Sequence, residues 1–283
     1  MEIFRSNLVT AFMLLLSLST QGQEKEFSKL MGPYLGRKPP GTAPVLFAPG
    51  VVSTKADEYA LEVSASGDEI LFVRDVRLML ASRNSEGTWD DPAVAPFSGK
   101  FVDGESCFSP DGNKIYFMSR RPLAGSKMPS HLWVSEKKGH QWSNPLPVAG
   151  IIHDKQLHAP SIAADGSIYE DGIIRFECAD GRYRPAERLA MDGGFPYIFP
   201  DESCIIYAKR PPGRRDIDLF VSFRKPDETW SPGLSLGENI NSPENEGNAF
   251  VTADGRYLFF VRKFDIYWVS AEIIENLKTE SGR

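Results

Sequence analysis

Ser109-Pro110-Asp111-Gly112-Asn113-Lys114-Ile115-Tyr116-Phe117 decides the fold. A polar Ser-Pro-Asp-Gly turn runs into a short stretch rich in Ile, Tyr and Phe, the form of a tight β-hairpin entering its second strand. The phrase recurs around Ser66-Gly67, Asp165-Gly166, Asp201-Glu202 and Asp254-Gly255, each time between two runs rich in Val, Ile, Phe and Tyr. Five hairpins at a near-regular interval predict a repeat protein. Such folds are platforms whose activity resides in loops that vary between repeats.

Outward from each hairpin a third strand follows: Leu78 to Ser82, His131 to Ser135, Ile173 to Phe176, Leu219 to Ser222 and Ile266 to Ser270. Four of these lead to a further segment in which an aromatic precedes Pro: Trp89 to Pro92, Trp142 to Pro145, Tyr183 to Pro185 and Trp230 to Pro232. Proline lacks the N–H that a central strand needs, so this segment suits an outer strand. The unit is a four-stranded antiparallel meander of roughly 40 to 50 residues, the length at which β-propeller blades recur.

The fifth unit lacks its outer strand, because after Ser270 the spacing of Ala271 to Leu277 is helical. A spare outer strand stands at the other end, where Pro44 to Val52 reads like Pro145 to Ile152 of the second unit. Pairing the stretch near Leu46 with Trp268 closes a ring and removes the exposed sheet edges that invite aggregation. The expected fold is therefore all-β, a five-bladed β-propeller of four-stranded antiparallel blades closed by an N-terminal outer strand. Six blades are the alternative, and the short third unit, which has lost its Trp, is where the count would fail.

The motifs at 109–117, Val134-Ser135, Trp142 to Pro145 and Asp265 to Ser270 resemble the TolB-type, WD-like propeller repeat of bacterial envelope proteins, over roughly 44–274. The resemblance implies fold and location, since those motifs specify a blade and not a reaction. Arg5 followed by the apolar run Leu8 to Leu18 and the small and polar residues Ser19 to Gly22 reads as a secretory signal over 1–23. A retained anchor is the weaker reading, because the run is about half of the roughly 20 residues a membrane-spanning helix needs. A lead-in at 24–43, the propeller at 44–274 and a tail at 275–283 complete the organisation.

The formal charge of -6 disfavours nucleic acid as a general partner. Cys107, Cys178 and Cys204 are odd in number and widely spaced, which disfavours a zinc framework; three free thiols are the expectation, with a disulfide between two of them the alternative in an exported protein. The loop His153 to His158 is the densest set of metal-capable side chains, but it lacks a clear third ligand, so no metal and no cofactor are expected. Trp89, Trp142 and Trp230 are expected to pack between blades.

In a meander blade, the start of the inner strand and the end of the second strand lie on one face of the disc. Glu58, Asp103, Glu105, His158 and Glu246 occupy the first position, and Arg74, Arg120, Arg121, Lys209, Arg210, Arg262 and Lys263 the second. The candidate ligand-binding set is Glu58, Arg74, Glu105, Arg120, His158, Arg210, Glu246 and Arg262, converging on the channel mouth. The expected function is a monomeric binding scaffold, periplasmic or secreted, that recognises an envelope protein or a small polar ligand such as a glycan or peptide. The alternative is a carbohydrate-active hydrolase or lyase using Glu58, Glu105 or Glu246, and a third class is an envelope component acting through Arg-rich loops such as Arg214-Arg215. The two leading readings separate on geometry: an enzyme needs unpaired carboxylates facing one another across a deep pocket, and a scaffold has each carboxylate bonded to its own blade's Arg.

Overall fold

The computed structural model describes residues 30–139, 141–151 and 159–281. The signal reading at 1–23 and the loop around His158 lie outside them. Five antiparallel sheets form the blades of a propeller. Blade 1 comprises Glu58–Val63, Glu69–Arg74, Arg77–Ser82 and Ala93–Val94, from the inner strand outward. Blade 2 comprises Asp103–Phe108, Lys114–Ser119, His131–Lys138 and Leu146–Pro147. Blade 3 comprises Ser161–Ile162, Ile168–Glu170, Ile174–Ala179 and Arg182–Arg188. Blade 4 comprises Gly194–Ile198, Cys204–Lys209, Asp218–Phe223 and Leu234–Ser235.

Blade 5 is made from both ends of the chain. Its first three strands are Glu246–Val251, Tyr257–Arg262 and Asp265–Ser270, and its outer strand is Val45–Leu46. Val45 stands opposite Trp268 and Leu46 opposite Tyr267. The Phe47 N–H donates to the Ile266 carbonyl at 2.8 Å, and the Phe47 ring meets Phe259 and Trp268 edge-on at 5.0 and 5.1 Å. The expected closure is therefore present, and the chain beyond Ser270 forms the helix Glu272–Ser281, whose Ile274 is buried against the same core.

The hairpin turns explain why the repeat is so readable. In blade 2 Gly112, at φ 69°, donates its N–H to the Ser109 carbonyl, while Asp111 Oδ1 accepts from Asn113 N–H at 3.0 Å. A side chain that tethers the backbone two residues on, followed by a residue free to take positive φ, is the chemistry that makes Asp-Gly a turn. Asp165, Asp201 and Asp254 repeat the tether in blades 3, 4 and 5. Blade 4 departs from the rule, with Glu202 at φ 54° where the others have Gly. The strain has a counterpart in bonding: Glu202 accepts from Tyr169 Oη at 2.6 Å, Arg175 Nε at 2.8 Å and Arg224 Nη1 at 3.1 Å, and so ties blade 4 to blade 3.

The outer strands start later than the aromatic segments suggest. Trp89 and Trp230 only bridge back to Arg83 and Arg224, and the ladders resume at Ala93 and Leu234. Pro92 and Pro232, lying between, cannot donate to the ladder. Trp142 lies 6.0 Å from Phe97 and Trp230 rests on the core shared by blades 3 and 4, both between blades as expected, whereas Trp89 is buried beside the lead-in, its N–H donating to the Leu30 carbonyl and its Nε1 to the Gly32 carbonyl. Cys107, Cys178 and Cys204 are all free thiols, with Cys178 exposed.

Candidate functional site

Four of the inner strands carry a bulge near their start. The register slips between Tyr59 and Glu62, Asp103 and Ser106, Gly194 and Tyr197, and Gly247 and Phe250. An extra residue bends the strand and re-aims the side chains after it. Ala60, Phe195 and Asn248 occupy the bulges at left-handed φ of 51°, 51° and 46°, and Ala159 takes 53° at the start of blade 3's inner strand. With Glu105 of blade 2 these residues line the central channel, and one position set further along, Glu62, Ser161, Tyr197 and Phe250, lines it from mid-depth to the opposite mouth.

Above the bulges three blades repeat one device. Arg74 Nε bonds Glu58 Oε1 at 2.8 Å, Arg262 Nε bonds Glu246 Oε1 at 2.8 Å, and Arg121 Nη2 bonds Asp103 Oδ1 at 3.2 Å. All three carboxylates are buried. The same guanidinium groups donate to carbonyls of the segment leading in from the outer strand beside them: Arg74 to Val51 and Val52, Arg121 to Phe97, Arg262 to Ile240. Backbone bonds add to the seam, since the N–H groups of Glu58, Asp103 and Glu246 donate to the carbonyls of Phe264, Val76 and Ile217 in neighbouring blades. Glu58 with Arg74 and Glu246 with Arg262 thus form pairs within a blade, whose guanidinium groups reach across to the adjoining segment, and none of the four is among the channel-lining residues named above.

The remaining predicted residues border three shallow cavities on this face. Arg120 and Glu105 line one of ≈ 160 Å³ with Tyr59, whose hydroxyl is pushed up to about 12 by burial and by the charge of Glu105. Arg210 and Lys209 line another of ≈ 310 Å³ with Asp171 and Asp192. A third, of ≈ 400 Å³, is bounded by Glu244, Lys263 and Phe264 and shares Phe195, Ala208 and Ile217 with the second, so the two form one trough across blades 4 and 5. Among the described residues no carboxylate pairs with Arg120, Lys209 or Arg210, whereas Lys263 is bonded to Glu244 at 2.8 Å. In the basic loop, Arg214 is bonded to Asp216, to Asp218 at 3.0 Å and to the Ser242 carbonyl. No group of three or more His, Cys, Asp or Glu among the described residues could hold a metal ion.

Two carboxyl groups matter that the sequence reading passed over or left without a role. Glu170 ends the shortened second strand of blade 3, at the register of Phe72 and Phe260 in blades 1 and 5, and it is fully buried with both oxygens unbonded. Burial, then the charges of Asp171 and Glu105, raise its pKa well above the usual carboxylate range. Glu62 lies in the channel wall at a position held by Cys107, Ser161, Tyr197 and Phe250 in the other blades. Desolvation lifts it to about 8, opposed only by a 2.8 Å bond from the Phe108 N–H. Comparing blades column by column would have exposed it as the single acid in an otherwise neutral ring.

An unfolded Glu62 loses its proton near 4.5, and the folded one keeps it to about 8. The folded state therefore holds the extra proton across that window, and stability falls as pH rises through it. Glu62→Gln should remove this contribution. Relative to wild type, the variant is expected to gain about 1–2 kcal/mol between pH 5 and pH 8, the channel's solvent screening the rest. Melting temperatures at unit steps of pH check this; parallel curves would contradict it.

No family model matches the chain, and no curated protein matches its sequence. Solved structures resemble it weakly. A TolB described as putative, from Agrobacterium tumefaciens, has 14% identity and a TM-score of 0.48, covering 74% of this chain and 71% of its own. TolB from Acinetobacter baumannii has 15% identity and a TM-score of 0.44, covering 77% of this chain, which spans only 55% of that protein. A mutant α-L-arabinanase from Cellvibrio cellulosa has 15% identity and a TM-score of 0.48, covering 74% of this chain and 88% of its own. These are likenesses of chain path and assign no role. No helix among the described residues is long and apolar enough to cross a membrane.

Proposed function

We propose that the protein is an exported binding scaffold that holds a carboxylate-bearing polar ligand, such as a peptide or an acidic glycan, on the channel-mouth face. The observation that carries this reading is the division of labour among the charges there. Glu58, Asp103 and Glu246 are each bonded to their own blade's Arg, while Arg120, Lys209 and Arg210 stand beside cavities with no carboxylate partner among the described residues. An acid held by a guanidinium is a poor proton donor, and an unpaired guanidinium in a cleft is a good carboxylate receptor. Glu105 and the paired residues Glu58, Arg74, Glu246 and Arg262 would shape the rim. Export and a periplasmic or secreted location rest on the signal reading at 1–23.

A second reading has one observation in its favour. Glu62, with its raised pKa, and Glu105 line the same constriction of the channel, and a carboxyl held protonated at neutral pH suits a general acid for glycoside cleavage. The room between them supports binding instead: that cavity is ≈ 20 Å³, enough for about one water and far too small for a sugar ring.

A thermal-shift screen with peptides and oligosaccharides, followed by calorimetry on the hit, tests the proposal. Exchanging both Lys209 and Arg210 for Ala should weaken that hit by about tenfold to a hundredfold, the loss of one or two charge-assisted bonds. Turnover of a glycan that Glu62→Gln or Glu105→Gln abolishes would establish the enzymatic reading in its place.

A further inference from the structure

At the end of the channel remote from the Arg-bearing mouth, the inner strands enclose a chamber of ≈ 150 Å³. Its floor is set by the hairpin turns, represented by Ala65, Pro110, Pro200 and Ala253, and its walls are largely apolar. The rings of Tyr197 and Phe250 stand together on one side, 5.6 Å apart and near perpendicular. The polar groups around it are already satisfied. Tyr197 Oη donates to the Val251 carbonyl at 2.7 Å, Ser161 Oγ accepts from the Ile198 N–H at 2.9 Å, and Ser109 Oγ is engaged with Asp111 and the Lys114 N–H.

Glu62 is the exception. One of its oxygens accepts from the Phe108 N–H, and among the described residues no cation reaches the carboxylate. Five other acids do have one: Glu58 with Arg74, Glu69 with Lys137, Asp103 with Arg121, Glu202 with Arg175, and Glu246 with Arg262; the buried Glu170 also lacks a cation, but it is not among the residues lining this chamber. A carboxylate facing an apolar chamber needs either a proton or a cation. We propose that the chamber is a binding site for a small alkylammonium ion, with the Glu62 carboxylate as counter-ion and the rings of Tyr197 and Phe250 as its aromatic wall.

Size, wall and charge agree on that class. A cavity of about 150 Å³ accommodates a molecule the size of benzene, which matches a tetramethylammonium or butylammonium ion and excludes a sugar or an oligopeptide. Aromatic faces beside a carboxylate favour an organic cation over a hydrated metal ion, because the ring quadrupole attracts the charge while the apolar wall accepts the alkyl groups. Among the described lining residues there is no cation to match an acid, so an amine that also bears a carboxylate should bind more weakly.

The titratable neighbours of Glu62 are Glu105 on the adjoining inner strand, Cys107 and Tyr197. Burial raises the thiol and the phenol, so both stay neutral through the working range. Cation and proton then compete for Glu62, and affinity should rise about tenfold per pH unit below the carboxyl's own titration and level off above it.

The experiment is calorimetric titration of the whole protein with tetramethylammonium and butylammonium chloride, from pH 6 to 9 in amine-free phosphate buffer. Glycine betaine, sodium chloride and a tripeptide with a free N-terminus serve as comparisons. The expected result is binding of both amines, strengthening with pH, with betaine and sodium at least tenfold weaker. Glu62→Gln should lose at least tenfold in affinity together with the pH dependence. Phe250→Leu, which keeps the chamber apolar, should weaken tetramethylammonium by about two- to thirtyfold without altering the pH profile, and so guards against a folding defect in the first variant. The proposal fails if neither amine binds at pH 9, if betaine binds equally well, if only the tripeptide binds, or if Glu62→Gln leaves affinity unchanged. Binding of the tripeptide alone would speak for the channel-mouth face, where exchange of Lys209 and Arg210 identifies it; the other outcomes do not bear on that ligand, whose receptor groups lie at the other end.

Discussion

Trp268→Ala is expected to destabilise the protein by about 3–5 kcal/mol, the range for removing a large aromatic from a core. Trp268 is 1% exposed and stands at the seam where the two ends of the chain meet. Its ring lies within 5.8 Å of those of Tyr34, Phe47, Tyr257 and Phe259. The loss therefore loosens blade 5 and the strand that completes it at once. For a chain of this size the melting temperature should drop by roughly 6–20 °C. A matched cut at Trp142, which is only half-buried, should cost less than half as much. Equal losses at the two sites would mean that the seam is no more important than any other gap between blades.

Arg262→Ala should cost about 3–5 kcal/mol by a different route. Arg262 holds Glu246, donates to the Ile240 carbonyl at 2.7 Å, and lies over the rings of Phe260 and Tyr267 at 5.4 and 5.1 Å. Removing it leaves a carboxylate that is 1% exposed without its cation, and an unpaired buried charge is far costlier than the pair is valuable. The second substitution Glu246→Gln, made in the Arg262→Ala background, should therefore restore part of the loss. Denaturant midpoints for the two single variants and the double give the coupling directly. Strict additivity would show that the pair does not act as a unit. The matching pair in blade 1, Arg74 and Glu58, should behave alike, because it has the same 2.8 Å bond and the same reach to carbonyls beside it.

The fold was legible because its signal is local and repeated. An Asp that tethers the backbone before a residue at positive φ writes itself into two or three letters, and four such copies beside the Ser66-Gly67 turn make a weak motif into a strong pattern. Even the ring could be read, since an unmatched outer strand at Val45–Leu46 has only one vacant edge to fill, beside Asp265–Ser270. The candidate site was legible only in part. Glu58, Arg74, Glu246 and Arg262 were found because their charges recur at fixed blade positions, yet their bonding to the adjoining segments depends on how blades abut. Strand periodicity tells two faces apart but not which face meets the channel, and the bulge after Tyr59 re-aims the residues beyond it. Periodicity alone therefore did not set Glu62 apart from a solvent-facing acid, although its column in the other blades is neutral, and Glu170 lies in the weakest copy of the repeat, whose shortened strands blur the alignment.

The seam between the two ends also sets an order of events. Ser53 bonds Ile266 across 213 residues, so the last blade cannot be finished while its final strand is still inside the ribosome. Four blades can form as they emerge, each from neighbouring chain, but until the end arrives they must wait as an open arc with a bare edge. A product cut short before Trp268 would keep that edge permanently, and should go to proteases or aggregates rather than persist as a smaller working protein.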